Sequence, residues 1–162
     1  SFMYTTLFKR ILLQMKHEPH ERQAIVQVCR RQYTDNTSEL AIVEEFDREY
    51  RSDQAVWWYT RECFTYRMLN QALRTQNVDI LLKMGFFLRD LHRQIEHLHS
   101  EARTSEKRFI VYRGQGLSTS HFEKIKSSRN GLISFNSFLS TSFEKEVSTG
   151  FARKALREKT VE

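Results

Sequence analysis

Two short segments of the sequence carry side chains suited to binding phosphate groups and planar amides. The first is Arg113-Gly114, which directly follows the apolar run at 109–112. An arginine at the end of a buried strand can aim its guanidinium into a cleft and bind a phosphate through two N–H groups. The glycine lets a ligand approach the main chain closely, where its N–H and C=O can hydrogen-bond an amide.

The second segment is a run of three hydroxyl residues, Ser140-Thr141-Ser142. Burying hydroxyl groups costs free energy unless each finds a hydrogen-bond partner. Along an extended strand, Ser140 and Ser142 share one face and Thr141 points to the other. Read from the residues alone, Arg113 also fits a structural or surface arginine, and the hydroxyl run also fits an ordinary polar strand end.

Histidine and aromatic clusters predict structure rather than a site. His92, His97 and His99 do not share a helix face as zinc-binding histidines four residues apart would, so we expect surface histidines and no metal. The run Trp57-Trp58-Tyr59 fits the core and its rim better than a platform for stacking bases.

Two cysteines, Cys29 and Cys63, are too few for a disulfide framework or a four-cysteine zinc site, and we expect two buried, reduced thiols. The sequence has no apolar run approaching the roughly 20 residues of a membrane-spanning helix. It also shows no secretory signal. We expect no membrane span, and a cytoplasmic location fits these features without being fixed by them.

The net charge of +6 is concentrated in the last third of the chain. Residues 1–100 hold 14 lysines and arginines against 13 acidic residues, whereas residues 101–162 hold 12 against 7. Glycine also becomes more frequent there, which places a boundary near residues 100–107. A basic surplus fits a polyanionic ligand such as nucleic acid, an anionic membrane or a phosphate-bearing cofactor, and it equally fits a solvated surface without a ligand.

The spacing of apolar residues changes at the same boundary. We predict helices over 4–15, 21–32, 40–50, 52 to about 73, and 77–99, where the heptad-like repeat fits a bundle better than a coiled coil. Beyond residue 107 we predict strands over 109–112, 132–135 and 138–141, and helices over 119–127 and 143–156.

Three stretches follow one another in an order that carries a family resemblance: VYRGQGLS at 111–118, LISFNSFLSTS at 132–142, and Phe151-Ala152. They resemble the arginine-serine-glutamate class of mono-ADP-ribosyltransferases, which includes arginine-specific enzymes and the catalytic chains of binary bacterial toxins. Residues 57–60, 64–74 and 87–92 are similar to the helical lobe of transferase domains in proteins that often carry tetratricopeptide repeats. The resemblance covers about residues 40–156.

The resemblance implies an α+β fold. A helical lobe at 3–103 would be followed at 104–162 by the NAD-binding part, an incomplete mixed β-sheet of the ADP-ribosyltransferase type. It also implies that NAD is bound as a substrate, without a metal. ADP-ribose would pass to an acceptor protein, with arginine the expected side chain, and nicotinamide would be released.

By the same resemblance, Arg113 and Ser140 would be the catalytic residues. Arg113 would hold NAD through its phosphate and its nicotinamide-side ribose, and Ser140 would position a glutamate and touch that ribose. Gly114 would hydrogen-bond the carboxamide, Phe151 would stack on the nicotinamide, and Arg153 or Lys154 would meet the pyrophosphate. The expected NAD-binding set is Arg113, Gly114, Gln115, Ser140, Thr141, Ser142 and Phe151.

The family's glutamate motif, Glu/Gln-x-Glu, lies several tens of residues after the serine run, whereas only 22 residues follow Ser140. Glu158 and Glu162 lie too close in sequence to serve. We therefore expect the chain as given to be inactive, whether as a truncated piece of a transferase, as one completed by strands from elsewhere, or as a degenerate relative.

Two other functions stay open. A catalytically silent NAD-binding or protein-interaction module would bind NAD without turning it over. A basic helical nucleic-acid binder would rest on charge alone, because no recognition helix or stacking motif supports it. We therefore do not expect nucleic acid as a partner.

Overall fold

The structure is a computed structural model that describes residues 10–11, 13–15, 19–61, 63–102, 108–129, 131 and 138–157. The chain divides into two compact units, Ser1–Ser105 and Glu106–Glu162, here termed the N-terminal and C-terminal units. Most of the predicted helix over 4–15 and all of the predicted strand over 132–135 lie outside the described residues.

Helices form the regular structure described in the N-terminal unit. They are α1 (Pro19–Gln32), α2 (Thr37–Glu49), a short 3-10 helix (Ser52–Gln54), α3 (Ala55–Thr60), α4 (Phe64–Thr75), α5 (Val78–Lys83) and α6 (Gly85–Ala102). Asn36 caps α2 and Asn77 caps α5, since each side-chain oxygen accepts a main-chain N–H in the first turn of its helix.

Two of the predicted long helices are each broken in two. A single helix from 52 to 73 is wrong, because the Trp58 carbonyl accepts the Thr65 hydroxyl at 2.8 Å and the Cys63 thiol at 3.5 Å. These two side-chain bonds link the last turn of α3 to the start of α4. The predicted helix from 77 to 99 divides at Met84, between α5 and α6.

An aromatic cluster centred on Phe46 forms the core of the N-terminal unit. Its ring lies 4.6–6.2 Å from the ring centroids of Tyr50, Trp58, Phe64 and Phe87, mostly edge-on. One side chain thereby connects α2 to α3, α4 and α6. Each such aromatic pair contributes about 0.5–1.5 kcal/mol beyond the area it buries. Trp58 is buried and Trp57 is exposed, which confirms the prediction of core and rim.

A buried hydrogen bond links the end of α2 to α6. The Tyr50 hydroxyl donates to Asp90 Oδ2 at 3.0 Å, and both residues are buried. Arg89 donates to the other carboxylate oxygen, Oδ1, from Nε at 3.3 Å and from Nη2 at 3.2 Å. Burial and then the nearby Asp90 charge raise the pKa of Tyr50, so its hydroxyl stays protonated and remains a donor.

Arg61, at the end of α3, is held by a carboxylate and two indole rings. Its Nη1 and Nη2 donate to the two carboxylate oxygens of Glu45 at 2.6 and 2.8 Å. The guanidinium carbon lies 5.0 Å from the ring centroid of Trp57 and 5.1 Å from that of Trp58. The hydrogen bond from Arg61 lowers the pKa of Glu45. This arrangement ties α2 to α3 at the edge of the aromatic core.

The described part of the C-terminal unit contains two helices, α7 (Thr119–Ser127) and α8 (Lys145–Arg157). The helix predicted over 119–127 is confirmed, and the one predicted over 143–156 begins two residues later than expected. An isolated antiparallel bridge joins Tyr112 to Ser142. The main-chain N–H of each donates to the carbonyl of the other, at 2.8 and 2.9 Å.

The predicted α+β class, with a partial mixed sheet of the ADP-ribosyltransferase type, is wrong. In the part of the chain that the structure describes, every regular element is a helix and the one bridge does not extend into a strand. The runs at 109–112 and 138–141 have the composition of strands. An apolar run becomes a buried strand only where another part of the molecule packs against it. Phe109 and Ile110 are exposed, and so are Val147, Phe151 and Leu156 of α8.

Replacing Tyr50 with phenylalanine keeps the ring in the cluster and removes the donor to Asp90. Because a buried carboxylate loses a hydrogen bond, we expect the free energy of unfolding to fall by about 1–3 kcal/mol. Urea-induced unfolding followed by circular dichroism measures this change. Tyr66→Phe is the matched control, since the Tyr66 hydroxyl has no hydrogen bond among the described residues. An equal loss in both variants would contradict the role of the Asp90 bond.

The Glu45–Arg61 pair predicts a dependence of stability on pH. A carboxylate with a lowered pKa stabilises the fold above the ordinary glutamate pKa and loses that contribution as the pH falls. We expect Glu45→Gln to lower the free energy of unfolding by up to about 1 kcal/mol at neutral pH and by much less near pH 3. Glu49→Gln is the control, because Glu49 is exposed and bonds to its sequence neighbour Arg48. A Glu45→Gln effect of the same size at both pH values would exclude an ionic origin.

Candidate functional site

The Arg113 side chain joins the two segments singled out in the sequence. Its Nη1 donates to the main-chain oxygen of Ser140 at 2.9 Å, and its Nε donates to Gln115 Oε1 at 3.2 Å. The bridge between Tyr112 and Ser142 lies beside this contact in both segments. The structure thus brings Arg113 to the hydroxyl run, although the bond is to the Ser140 carbonyl rather than to a hydroxyl group.

Gly114 packs against the main chain of α8. A Cβ atom at this position would overlap the carbonyl oxygen of Ser148, and it would lie 2.8 Å from the Ser148 carbonyl carbon and 3.0 Å from Ala152 N. None of the described glycines has a positive φ, so close approach rather than backbone conformation requires glycine here. The main chain of α8 therefore fills the space that a side chain at position 114 would take.

Helix α8 is the third part of the site, and sequence reasoning missed its main contact. Ser148 is the one buried residue among the described residues of the C-terminal unit. Ser148, Ala152 and Ala155 are small and recur at spacings of four and three, which places them on one face of the helix. Such a face admits a close backbone, and it could have been found from the sequence. Phe151 adjoins it and is 40% exposed.

The three hydroxyl residues differ in their surroundings. Ser140 and Ser142 are half-buried and Thr141 is exposed, which agrees with the alternation expected of an extended segment. Ser142 Oγ accepts the main-chain N–H of Glu144 at 3.0 Å, just before α8 begins. Ser142 therefore serves the local turn. The Ser140 hydroxyl has no partner among the described residues and is available to a ligand.

Arg113 belongs to a unit whose described residues carry a positive net charge. No carboxylate of the described residues lies within ion-pair distance of its half-buried guanidinium. The described acidic residues of the C-terminal unit are Glu123, Glu144 and Glu146. Its described basic residues, which give that part of the unit a net charge of +6, are Arg108, Arg113, Lys124, Lys126, Arg129, Lys145, Arg153, Lys154 and Arg157. A guanidinium in such a field is suited to an anion.

Two surface clefts occur in the N-terminal unit, and neither is lined by a predicted site residue. One, of about 390 Å³, lies between α1 and α2 and is lined by polar groups that include His20, Arg30 and Asp47. The other, of about 350 Å³, is lined by residues that include Tyr33 and Arg67. Their size alone does not identify a ligand, because both are open to solvent and polar.

The histidines and cysteines form no site in the described residues. His92 and His97 each lie within 3.5 Å of a glutamate one helical turn further on, and no group of three or more possible metal ligands occurs there. Cys29 and Cys63 are both buried and unpaired with each other, as predicted. Burial raises the pKa of the Cys29 thiol to about 12, which keeps it protonated.

Comparison with known proteins gives no relative, since no family model, curated protein or solved structure matches this chain. No described helix has the length and apolar character needed to cross a membrane. The candidate site is therefore defined by its own contacts, which join Arg113-Gly114, Ser140-Thr141-Ser142 and the Ser148 face of α8.

The close approach of Gly114 to α8 predicts a steric effect of one methyl group. We expect Gly114→Ala to destabilise the C-terminal unit by about 1–3 kcal/mol, because the main chain of α8 must move away. Hydrogen exchange of residues 109–118 and 145–157 measures the change. Gly150→Ala, also in α8, is the matched control: nothing lies within 4 Å of its Cβ position, and alanine favours a helix. Equal protection in wild type and Gly114→Ala would contradict the contact.

Proposed function

We propose that the C-terminal unit is the NAD-binding part of a mono-ADP-ribosyltransferase. Such an enzyme transfers ADP-ribose from NAD to a protein side chain, here with arginine as the expected acceptor, and releases nicotinamide. The observation that carries the proposal is the 2.9 Å hydrogen bond from Arg113 Nη1 to the Ser140 carbonyl, which joins two motif segments 27 residues apart. The proposal rests on these segments and not on a sheet, because the described residues form none.

The Arg113 side chain is suited to an anionic ligand. Its Nη1 and Nε bond to Ser140 and Gln115, so the N–H groups of Nη2 remain to meet a phosphate oxygen of NAD. The two protein bonds fix the plane of the guanidinium before a ligand arrives, which lowers the entropy lost on binding. Arg153 and Lys154 of α8 add positive charge for the pyrophosphate.

The neighbouring groups suit the nicotinamide end of NAD. The Ser140 hydroxyl would hydrogen-bond the ribose, and the half-exposed main chain of Gly114 would hydrogen-bond the carboxamide. Phe151 offers an exposed aromatic face for stacking. Loss of nicotinamide builds positive charge on the ribose, which a carboxylate stabilises in an enzyme of this class. In this proposal, Arg113 and Ser140 bind and orient the substrate.

A second function fits one observation. Both described partners of Arg113, the Ser140 carbonyl and the Gln115 carboxamide, are neutral, and no described carboxylate lies within ion-pair distance of the guanidinium. A site of this composition binds the anionic substrate without supplying the charge that stabilises the transition state. The alternative is therefore an NAD-binding or protein-interaction module that lacks transferase activity.

Isothermal titration calorimetry with NAD tests the proposal. We expect saturable binding by the chain and at least a tenfold loss of affinity in Arg113→Ala, because the charged hydrogen bonds to phosphate are removed. Arg129→Ala is the matched control, since Arg129 is an exposed basic residue of the same unit and lies in the turn after α7. Its substitution should change the affinity less than twofold. Absence of binding, or equal losses in the two variants, would refute the assigned site.

Measuring nicotinamide release tests transferase activity directly. Release from NAD that increases when an arginine analogue is added as acceptor supports the transferase over the silent module. Binding that Arg113→Ala abolishes, without release of nicotinamide, is the result expected of the silent NAD-binding module and equally of a transferase part that lacks the glutamate motif.

A further inference from the structure

Most of the large apolar side chains that the structure describes in the C-terminal unit are exposed. Among its described residues no apolar side chain is buried, and Phe109, Ile110 and Phe143 are 70%, 74% and 71% exposed. The rings of Phe109 and Phe143 contact each other with their centroids 5.5 Å apart. These three exposed residues, two of them in contact, are here termed the apolar tip, and the described residues of the unit do not cover them.

The apolar tip lies at one end of the paired segments, and Arg113 lies at the other. Because the bridge between Tyr112 and Ser142 is antiparallel, residues 109–111 run alongside the chain beyond Ser142, whereas Arg113 runs alongside Thr141 and Ser140. The tip is therefore separate from the contact that defines the candidate NAD site. It requires an explanation of its own.

The tip is bordered by charged residues with a positive balance. Arg108 precedes Phe109, and Glu144 and Lys145 follow Phe143. The described residues of the whole unit carry a net charge of +6. A ligand for this surface must therefore combine apolar character with negative charge.

We propose that the apolar tip docks the C-terminal unit onto an anionic phospholipid surface. The Phe109, Ile110 and Phe143 side chains enter the boundary between head groups and acyl chains, while Arg108 and Lys145 remain at the level of the anionic head groups. Apolar insertion combined with basic residues is the usual basis of peripheral membrane binding. Long basic side chains keep their charges in water while their stems lie along the apolar surface.

Two features favour a lipid surface over a protein partner. Phe109 and Ile110 are successive residues next to the antiparallel bridge, and both side chains are exposed. A lipid interface surrounds what enters it and can receive both side chains, whereas a protein partner must match their directions. In addition, lysine is depleted from protein–protein interfaces, and this unit has several exposed lysines.

Vesicle sedimentation tests the proposal. We expect the chain to bind phosphatidylcholine vesicles that contain about 30% phosphatidylserine, to bind pure phosphatidylcholine far less, and to be released by high salt. The double substitution Phe109→Ser/Phe143→Ser should reduce the partition coefficient at least tenfold, because two exposed aromatic side chains no longer enter the bilayer. Leu82→Ser, at an exposed apolar residue of α5, is the control and should leave binding unchanged.

Phe109→Trp keeps the tip apolar and tests the proposal even if the serine variants misfold. On addition of anionic vesicles, we expect the emission of Phe109→Trp to shift to shorter wavelength and to be quenched by brominated acyl chains. The wild type, whose two tryptophans lie in α3, should show no such quenching. The proposal is overturned by equal binding to neutral vesicles, by absence of quenching, or by self-association that Phe109→Ser abolishes, since a second copy would then cover the tip.

Discussion

Contacts of one phenylalanine ring hold the N-terminal unit together. Phe46 lies where α2 meets α3, α4 and α6, and three of its four aromatic neighbours, Trp58, Phe64 and Phe87, are fully buried. The break between α3 and α4 allows Trp58 and Phe64 to reach this ring from two directions. The bond from Tyr50 to Asp90 and the pairing of Arg61 with Glu45 lie at the borders of the same cluster. The helical packing is thus organised around a common centre.

The C-terminal unit is organised differently, through main-chain carbonyl groups. The Ser142 carbonyl accepts Tyr112 N–H, the Ser140 carbonyl accepts the Arg113 guanidinium, and the Ser148 carbonyl lies against Gly114. In all three contacts the serine contributes its backbone. The path of the chain therefore matters more for this arrangement than the hydroxyl groups do. The Ser140 hydroxyl makes none of these three contacts, and it is therefore open to the ligand proposed above.

Helices with a clear apolar period were predictable, and their interruptions were not. The pattern located α7 within a residue and α1, α2 and α8 within a few residues, because burial on one face sets the period. The break after α3 is accompanied by a hydrogen bond from the Thr65 hydroxyl to the Trp58 carbonyl. The period of apolar residues carries no information about this bond. The strands expected at 109–112 and 138–141 failed for a related reason: β-branched and aromatic composition indicates a strand only when a neighbouring surface buries it. For the candidate site, Arg113 and the hydroxyl run were identified from the sequence, but the packing of Gly114 on Ser148 was not, because it depends on how α8 approaches the loop.

Chemical modification of the two buried thiols can report the opening of the N-terminal unit. Cys29 and Cys63 are enclosed by the N-terminal unit, and the high pKa of Cys29 further suppresses its reactivity. Because the sequence has no other cysteine, alkylation by a thiol reagent reports the opening of that unit alone. The rate of modification then follows the equilibrium between closed and open forms of the aromatic core. Events confined to the C-terminal unit leave the thiols unmodified, so the dynamics of the two parts can be separated without labels.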